Sequence, residues 1–307
     1  LKKTTLLRKL LERPGSIVVP GVYDALSARI CEMAGFEAVF HSGYGTAAVL
    51  LGQPDVGLLT LTEMAAQVKA VSRAVRIPVF ADSDTGFGNA LNAYRTVQEY
   101  ISAGASGLFM EDQVAPKRCG HMEGKQVIPK DEMLGKLRAA IDARNEMDPD
   151  FIIMYRTDAI HATGFEDALD RAKAAVAAGV DMIFIEALET REQMERAVRE
   201  VNVPLMLNLI EGGKTPLVPV SEAEAMGFKL VVPALSALFS AARGMYDVMS
   251  RIRAEGVSDA YRDRLFTFSE FTEVVRLDEI REMEEKYLPR SVLEEKYRGK
   301  KNIVESE

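Results

Sequence analysis

Two kinds of stretch alternate along the chain. Short runs of β-branched, aromatic and aliphatic residues recur at 17–19, 38–40, 78–81, 107–110, 151–155, 182–185, 205–207 and 230–232. They are continuous apolar runs, the pattern of parallel strands covered on both faces. Between them lie alanine-rich stretches with apolar residues at helical spacing: 24–34, 61–74, 91–103, 131–146, 165–178, 191–201 and 221–226, with a longer one after Leu235. Several of these end in Ala-Gly just before the next strand (Ala34-Gly35, Ala103-Gly104, Ala178-Gly179). Glycine there supplies the left-handed turn that sends the chain back toward the sheet. Eight such units predict an α/β fold, a (β/α)8 TIM-type barrel. An open doubly wound sheet is the alternative, but no glycine-rich phosphate loop follows the first strand.

The ends of the chain read differently. Residues 2–13 predict a short basic amphipathic helix carrying Leu6, Leu7, Leu10 and Leu11, ended by Pro14-Gly15. Beyond 255 the strand–helix grammar stops. From Thr267 the pattern predicts one or two more helices, and 290–307 a charged tail. The expected organisation is therefore a barrel catalytic domain over 1–255 and a helical arm over 256–307, part of the same domain. An arm beyond a finished barrel has nothing left to cover on its own subunit, which predicts an oligomer interface.

Composition narrows the function. An apolar share of 48% and a charged share of 27% suit a soluble globular chain with a real core. The net charge of −8 leaves no electrostatic footprint for nucleic acid. No apolar run reaches the roughly 18 residues of a membrane span, and no signal-peptide pattern is visible. Two cysteines in 307 residues argue against a disulfide framework and for a reducing, cytoplasmic setting. Cys31 lies in a helical pattern and reads as a small buried hydrophobe.

In barrels of this kind the chemistry gathers where strands end and loops begin. That rim carries Tyr23 and Asp24, then Ser42-Gly43-Tyr44, with Asp55 in the long loop that follows. Next come Asp82 and Asp84, Glu111 and Asp112, Arg156 and Asp158, Glu186, Asn208 and Glu211. The acids Asp55, Asp82, Asp84 and Glu111 form an all-oxygen set suited to Mg²⁺, with Mn²⁺ as a substitute. Singly, each would read as a loop cap or an ion-pair partner. The stretch 107–125, GLFMEDQVAPKRCGHMEGK, turns from an apolar strand into acids, a basic pair, a thiol and an imidazole. Lys117, Arg118 and His121 around Cys119 should favour its thiolate or let the thiol donate a proton. Gly120 permits close backbone approach to a ligand. Lys125 and Lys130 read as solvated charges. Arg156 suits a guanidinium fork for a carboxylate, or an ion pair with Glu186. The turn Glu211-Gly212-Gly213-Lys214-Thr215-Pro216 reads equally as a second lid or a plain connection.

Several blocks together carry a family resemblance: KRCGH at 117–121, SGYG at 42–45, ADSDTGFG at 81–88, EDQ at 111–113, RTDA at 156–159 and EGGKTPL at 211–217. They resemble the isocitrate lyase / phosphoenolpyruvate mutase superfamily over roughly residues 5–290. Within it the chain is most similar to the group of 2,3-dimethylmalate lyase, 2-methylisocitrate lyase and petal death protein. The resemblance implies a Mg²⁺-dependent barrel that exchanges one helix between subunits, usually in a homotetramer. It implies Asp82 as the direct metal ligand, with Asp55, Asp84 and Glu111 holding metal-bound waters. Ser42, Gly43 and Tyr44 would bind the oxo-acid half of the substrate. Arg156 would bridge the two halves, supported by Glu186, and Gly120, His121 and Asn208 would hold the second carboxylate. Cys119 would protonate the carbanion from a closing loop. Some relatives have tyrosine where this chain has Phe40, so the group that takes the alcohol proton is left unassigned.

Within the family, Cys119 argues against the phosphoenolpyruvate mutases. Methylisocitrate lyases continue the loop after the histidine with Arg-Pro-Asn, where this chain has Met122-Glu123-Gly124. Losing a cation and gaining an acid there disfavours a third substrate carboxylate. The expected activity is carbon–carbon cleavage of a 2-hydroxy dicarboxylate of the 2,3-dimethylmalate or 2-alkylmalate type. The alternatives are 2-methylisocitrate cleavage, oxaloacetate hydrolysis, and a barrel that binds a dicarboxylate without turning it over.

Overall fold

The computed structural model describes residues 1–120 and 124–297. All eight expected strand runs form, and a further short strand, not expected, follows the first. The strands are β1 (Ile17–Val18), β2 (Gly21–Val22), β3 (Val39–His41), β4 (Val79–Asp82), β5 (Gly107–Glu111), β6 (Ile152–Thr157), β7 (Met182–Ile185), β8 (Leu205–Leu209) and β9 (Leu230–Pro233). Every pairing is parallel, in the order β1-β9-β8-β7-β6-β5-β4-β3-β2. The two ends of that order are halves of one extended run. Pro20, which has no N–H to give a ladder, interrupts it. Val19 N–H donates to the Val231 carbonyl at 3.0 Å, and the Pro20 carbonyl accepts from Phe40 N–H at 2.9 Å. The sheet therefore closes on itself, the expected (β/α)8 barrel.

The helices start and stop where local chemistry directs. Asp24 and Ser27 form a reciprocal cap on α2 (Ala25–Met33), and Thr60 with Glu63 does the same for the α4 helix (Leu61–Ala74). The helices α5 (Ala90–Ala103) and α7 (Phe165–Ala178) end on Gly104 and Gly179, at φ +90° and +101°. Two helices depart from the sequence reading: Arg290–Tyr297, expected within a charged tail, is helical, and so is a stretch near the rim. Residues after Ser42, expected as rim and long loop, form α3 (Gly43–Leu51), capped by the Ser42 hydroxyl, which accepts from Gly45 N–H at 3.2 Å. Gly43, Gly45 and the short run obscure its periodicity.

Two apolar layers hold the barrel. Outside, strand residues such as Ile153, Tyr155, Ile183 and Leu207 pack with Val97, Leu137 and Leu169 of the surrounding helices. Inside, Phe40, Phe80, Phe109, Met154, Phe184, Met206 and Val232 form a continuous column. Its lower members meet Leu7 and Leu10 of α1 (Lys3–Glu12), which closes the N-terminal end of the barrel. Arg8 fixes that plug, donating to the carbonyls of Pro149 and Phe151 at 3.1 and 3.2 Å and to Asp181 at 3.0 Å.

The chain divides into two compact units, Leu1–Ala241 and Ala242–Glu307. Within the second lie α11 (Phe268–Val274), α12 (Leu277–Tyr287) and α13 (Arg290–Tyr297). The α10 helix (Ser236–Glu255) runs into it and has no buried residue. Among the described residues no helix is long and apolar enough to cross a membrane.

Candidate active site

Side chains alternate along a strand with a period of two. Each apolar residue of the inner column is thus followed, two positions later, by a residue at the C-terminal mouth. Phe40 is followed by Ser42, Phe80 by Asp82, Phe109 by Glu111, Met154 by Arg156, Phe184 by Glu186 and Met206 by Asn208. The mouth is a ring of polar groups over an aromatic floor. A cavity opens there, lined by Ser42, Tyr44, Asp55, Asp82, Cys119, Gly120, Arg156, Glu186 and Asn208, with Phe40, Phe109, Phe184 and Met206 beneath.

Four acids expected to serve a metal sit at or beside this cavity, all buried: Asp55, Asp82, Asp84 and Glu111. Asp82 is held in place by Gly43 N–H at 3.1 Å and Asp84 N–H at 2.9 Å, and the Tyr100 hydroxyl donates to its carbonyl at 2.7 Å. A Cβ on Gly43 would lie 2.6 Å from the Asp82 carboxylate, so glycine is required for that approach. Burial, then the neighbouring Asp84, pushes the Asp82 carboxyl up to about 7. Burial likewise raises Asp84, and raises Glu111 well above its ordinary range.

Lys117 departs from its expected role. Instead of flanking the thiol, its ammonium is buried between Asp55 and Asp84, at 2.6 and 2.7 Å. Burial alone would lower it, but Asp84, Asp55, Asp82 and Glu111 together raise it well above the usual range. The sequence pattern put Lys117 two residues from Cys119; it could not show that the loop folds this side chain back on the acids.

These residues fit a divalent cation. Four buried carboxylates face two buried cations, Lys117 and Arg156, and Glu111 Oε1 has no hydrogen-bond partner. Among the described residues, no three His, Cys, Asp or Glu side chains converge tightly enough to enclose an ion by themselves. Mg²⁺ characteristically takes one or two carboxylates directly and keeps several waters.

Arg156 is the second organising cation. Its guanidinium donates to Asp158 at 2.9 and 3.1 Å and pairs with Glu111 and Glu186 at 3.2 Å each. It also lies over the rings of Phe109 and Phe184, 5.4 and 5.1 Å from their centroids. Asn208 donates to Glu186 at 3.4 Å, while its own amide oxygen has no hydrogen-bond partner. Asp112, on the same strand end, serves a support role: it accepts from the Tyr155 and Thr157 hydroxyls at 2.6 and 2.8 Å and from Asp158 N–H at 2.9 Å. Asp24 is a helix cap, and Glu211 is exposed and bonded to Ser236.

The loop with the thiol is pinned over the mouth. The Gln113 amide donates to the Arg118 carbonyl at 2.8 Å and accepts from Arg118 N–H at 2.9 Å, and Cys119 N–H donates to the Asp55 carbonyl at 3.1 Å. Cys119 is half-buried and lines the cavity. Gly120 packs so closely that a Cβ would lie 2.5 Å from Arg156 Nη2 and nearer still to Glu186. Lys125, expected to be solvated, is buried and bonds the Gly120 carbonyl. Lys130 is exposed and paired with Asp170, as expected of a surface charge. His121, with Met122 and Glu123, lies outside the described residues. Cys31 is buried, and burial raises its thiol to about 11, so it is an inert core residue. His41 escaped sequence reading altogether: burial lowers it to about 4, and its Nε2 lies 3.0 Å from Thr46 Oγ1.

A family model described as phosphoenolpyruvate phosphomutase matches residues 7–253. The chain is 44% identical over 281 residues to a 2,3-dimethylmalate lyase of Eubacterium barkeri, covering 92% of this chain and 96% of that one. It is 40% identical over 270 residues to a 2-methylisocitrate lyase of Aeropyrum pernix, covering 88% and 86%. A crystal structure of 2,3-dimethylmalate lyase superposes with a TM-score of 0.91 at 35% identity, covering 99% of both chains. A phosphonopyruvate hydrolase solved with oxalate and Mg²⁺ superposes at 0.84 with 29% identity, covering 94% of this chain and 100% of that one. The chain belongs to the phosphoenolpyruvate mutase/isocitrate lyase superfamily.

Proposed function

We propose that this protein is a Mg²⁺-dependent carbon–carbon lyase that cleaves 2,3-dimethylmalate or a similar 2-alkylmalate to pyruvate and a short carboxylic acid. The observation that carries the reading is the juxtaposition, in one cavity, of Asp82, Arg156 and the half-buried thiol of Cys119. Asp82 would hold the metal directly, with Asp55, Asp84 and Glu111 on its waters. When bound, Mg²⁺ (or Mn²⁺) supplies charge that lowers the pKa of the substrate hydroxyl and stabilises the forming oxo acid.

The chain's own residues do the rest. Ser42, Gly43 and Tyr44 hold the oxo-acid half at the start of α3. Arg156, kept in place by Asp158 and Glu186, bridges the two halves, and Gly120, His121 and Asn208 take the second carboxylate. Cleavage breaks C2–C3: the hydroxyl proton leaves, C2 becomes a ketone, and the bonding pair moves to C3 and its carboxylate. Preorganised donors at that carboxylate stabilise the developing charge. The Cys119 thiol then delivers a proton to C3 while the loop keeps bulk water out. Oxidation of that thiol would stop the reaction, which suits a reducing cytoplasm.

The 2-methylisocitrate reading is the competitor, favoured by the Aeropyrum relative. Pyruvate release by purified protein with Mg²⁺, measured side by side on 2,3-dimethylmalate and 2-methylisocitrate, separates them. Faster turnover of the dicarboxylate is expected. Faster turnover of the tricarboxylate would replace the proposal, and silence on both would favour oxaloacetate hydrolysis or a binding role.

We also propose a homotetramer in which the helix at Ser236–Glu255 is exchanged between subunits, with the arm after 255 at the interface. The absence of any buried residue on that helix supports this.

A further inference from the structure

Among the described residues, the polar ring at the cavity mouth has one gap. From β3 to β8 each inner strand end carries Ser42, Asp82, Glu111, Arg156, Glu186 or Asn208 two residues after its apolar floor residue. On β9 the same alternation gives Val232 and then Ala234. Leu235, next to it, and Ile210, after β8, also line the cavity. The adjoining β2 begins with Gly21, whose missing side chain lets the Ala234 carbonyl approach; a Cβ there would collide with it. The first polar side chain after Leu235, Ser236, is engaged by Glu211 and does not line the cavity. Among the described residues that line the cavity, those on the arc between Asn208 and Ser42, namely Ile210, Ala234 and Leu235, therefore offer only hydrocarbon side chains.

We propose that Ile210, Ala234 and Leu235 form a specificity pocket for an alkyl substituent on C3, the carbon that leaves with the short acid. This rests on the lyase reading above. In that reading the C3 carboxylate lies at Asn208, whose strand neighbours Val232 and Pro233 of β9 through Asn208↔Val232 and Leu209↔Pro233. The remaining C3 substituent then faces the arc lined by Ile210, Ala234 and Leu235. A methyl gains by leaving water there, while a hydroxyl or a hydrated carbonyl would lose its hydrogen bonds. One methylene in such a pocket discriminates by roughly 10- to 200-fold.

The test is the ratio of kcat/KM for 2,3-dimethylmalate to that for 2-methylmalate, which lacks only the C3 methyl. Wild type should favour the former by about tenfold or more. Ala234→Ser combined with Ile210→Thr should lower that ratio by about tenfold, because the pocket then carries hydroxyls. Leu235→Ala, which cannot fail by burying a polar group, should raise relative turnover of the 3-ethyl homologue. Folding of each variant is checked by its melting temperature. Wild type active on both malates with the same ratio in all variants would overturn the pocket assignment while leaving the lyase reading intact. Wild type inactive on both would overturn the alkylmalate reading itself.

Discussion

At the scale of single residues, the site is defined by protons that burial keeps in unusual places. Asp82 holds its proton up to about pH 7 in the metal-free fold, against an ordinary value of 3.8. Between those values the folded chain binds a proton that the unfolded chain has lost. Asp82 therefore makes the metal-free protein less stable as pH rises from about 4 to 7, with no further change above. Mg²⁺ competes for the same carboxylate, so its affinity should climb with pH up to about 7 and then level off, with proton release on binding. Calorimetric titration between pH 5.5 and 8.5 checks this, and a flat affinity profile would remove Asp82 as the direct ligand. Cys119 makes a separate prediction. Its backbone N–H bonds the Asp55 carbonyl, a contact that a serine keeps. Cys119→Ser should thus leave Mg²⁺ affinity and melting temperature near wild type while lowering kcat by about 10²-fold or more, the order expected for losing a placed general acid. Pyruvate release close to the wild-type rate in that variant would end the assigned role.

At the scale of elements, what could be read in advance followed from periodicity, and what could not followed from tertiary contacts. The eight strands were legible because continuous apolar runs bounded by alanine-rich helices have few other solutions. The mouth residues were legible because they stand directly after those runs. The α3 helix was not, since Ser42-Gly43-Tyr44-Gly45 has the composition of a turn and only the Ser42 cap makes it a helix start. Lys117 and Lys125 were misplaced for a related reason: a lysine's spacing in sequence says nothing of which way a loop folds its four-carbon stem. The α1 helix shows the converse, an amphipathic pattern that was plain while its partner was not. Leu7 is 1% exposed and packs into the inner column at the end of the barrel away from the cavity. Leu7→Ala should cost about 2–4 kcal/mol of stability, from lost burial plus the cavity left behind. Denaturant titration would register this as a lower midpoint, with kcat on the folded protein at 25 °C unchanged. A matching loss of kcat would mean that the plug shapes the site through the column of phenylalanines, not only its foundation.

At the scale of the whole molecule, the arm poses a question of solvation. Met245 and Met249 are 64% and 59% exposed and one helical turn apart, with Tyr246 at 68% beside them. Phe266 and Phe268 are likewise 56% and 75% exposed. Isolated apolar side chains on a surface need no explanation, but methionines and aromatics clustered on one segment mark an interaction surface. The proposed occupant is a second copy of the same chain, and the charge of the variants decides it. Replacing both methionines with aspartate puts acids at positions already in water in the single chain, so folding should change by no more than about 0.5 kcal/mol. In an assembled interface the same acids would be buried without partners, which is strongly unfavourable. Light scattering behind size exclusion should therefore show a tetramer for wild type and smaller species for Met245→Asp/Met249→Asp, at equal helical content. A wild-type monomer, or a double variant that still assembles fully, would show that these side chains are not what joins the subunits.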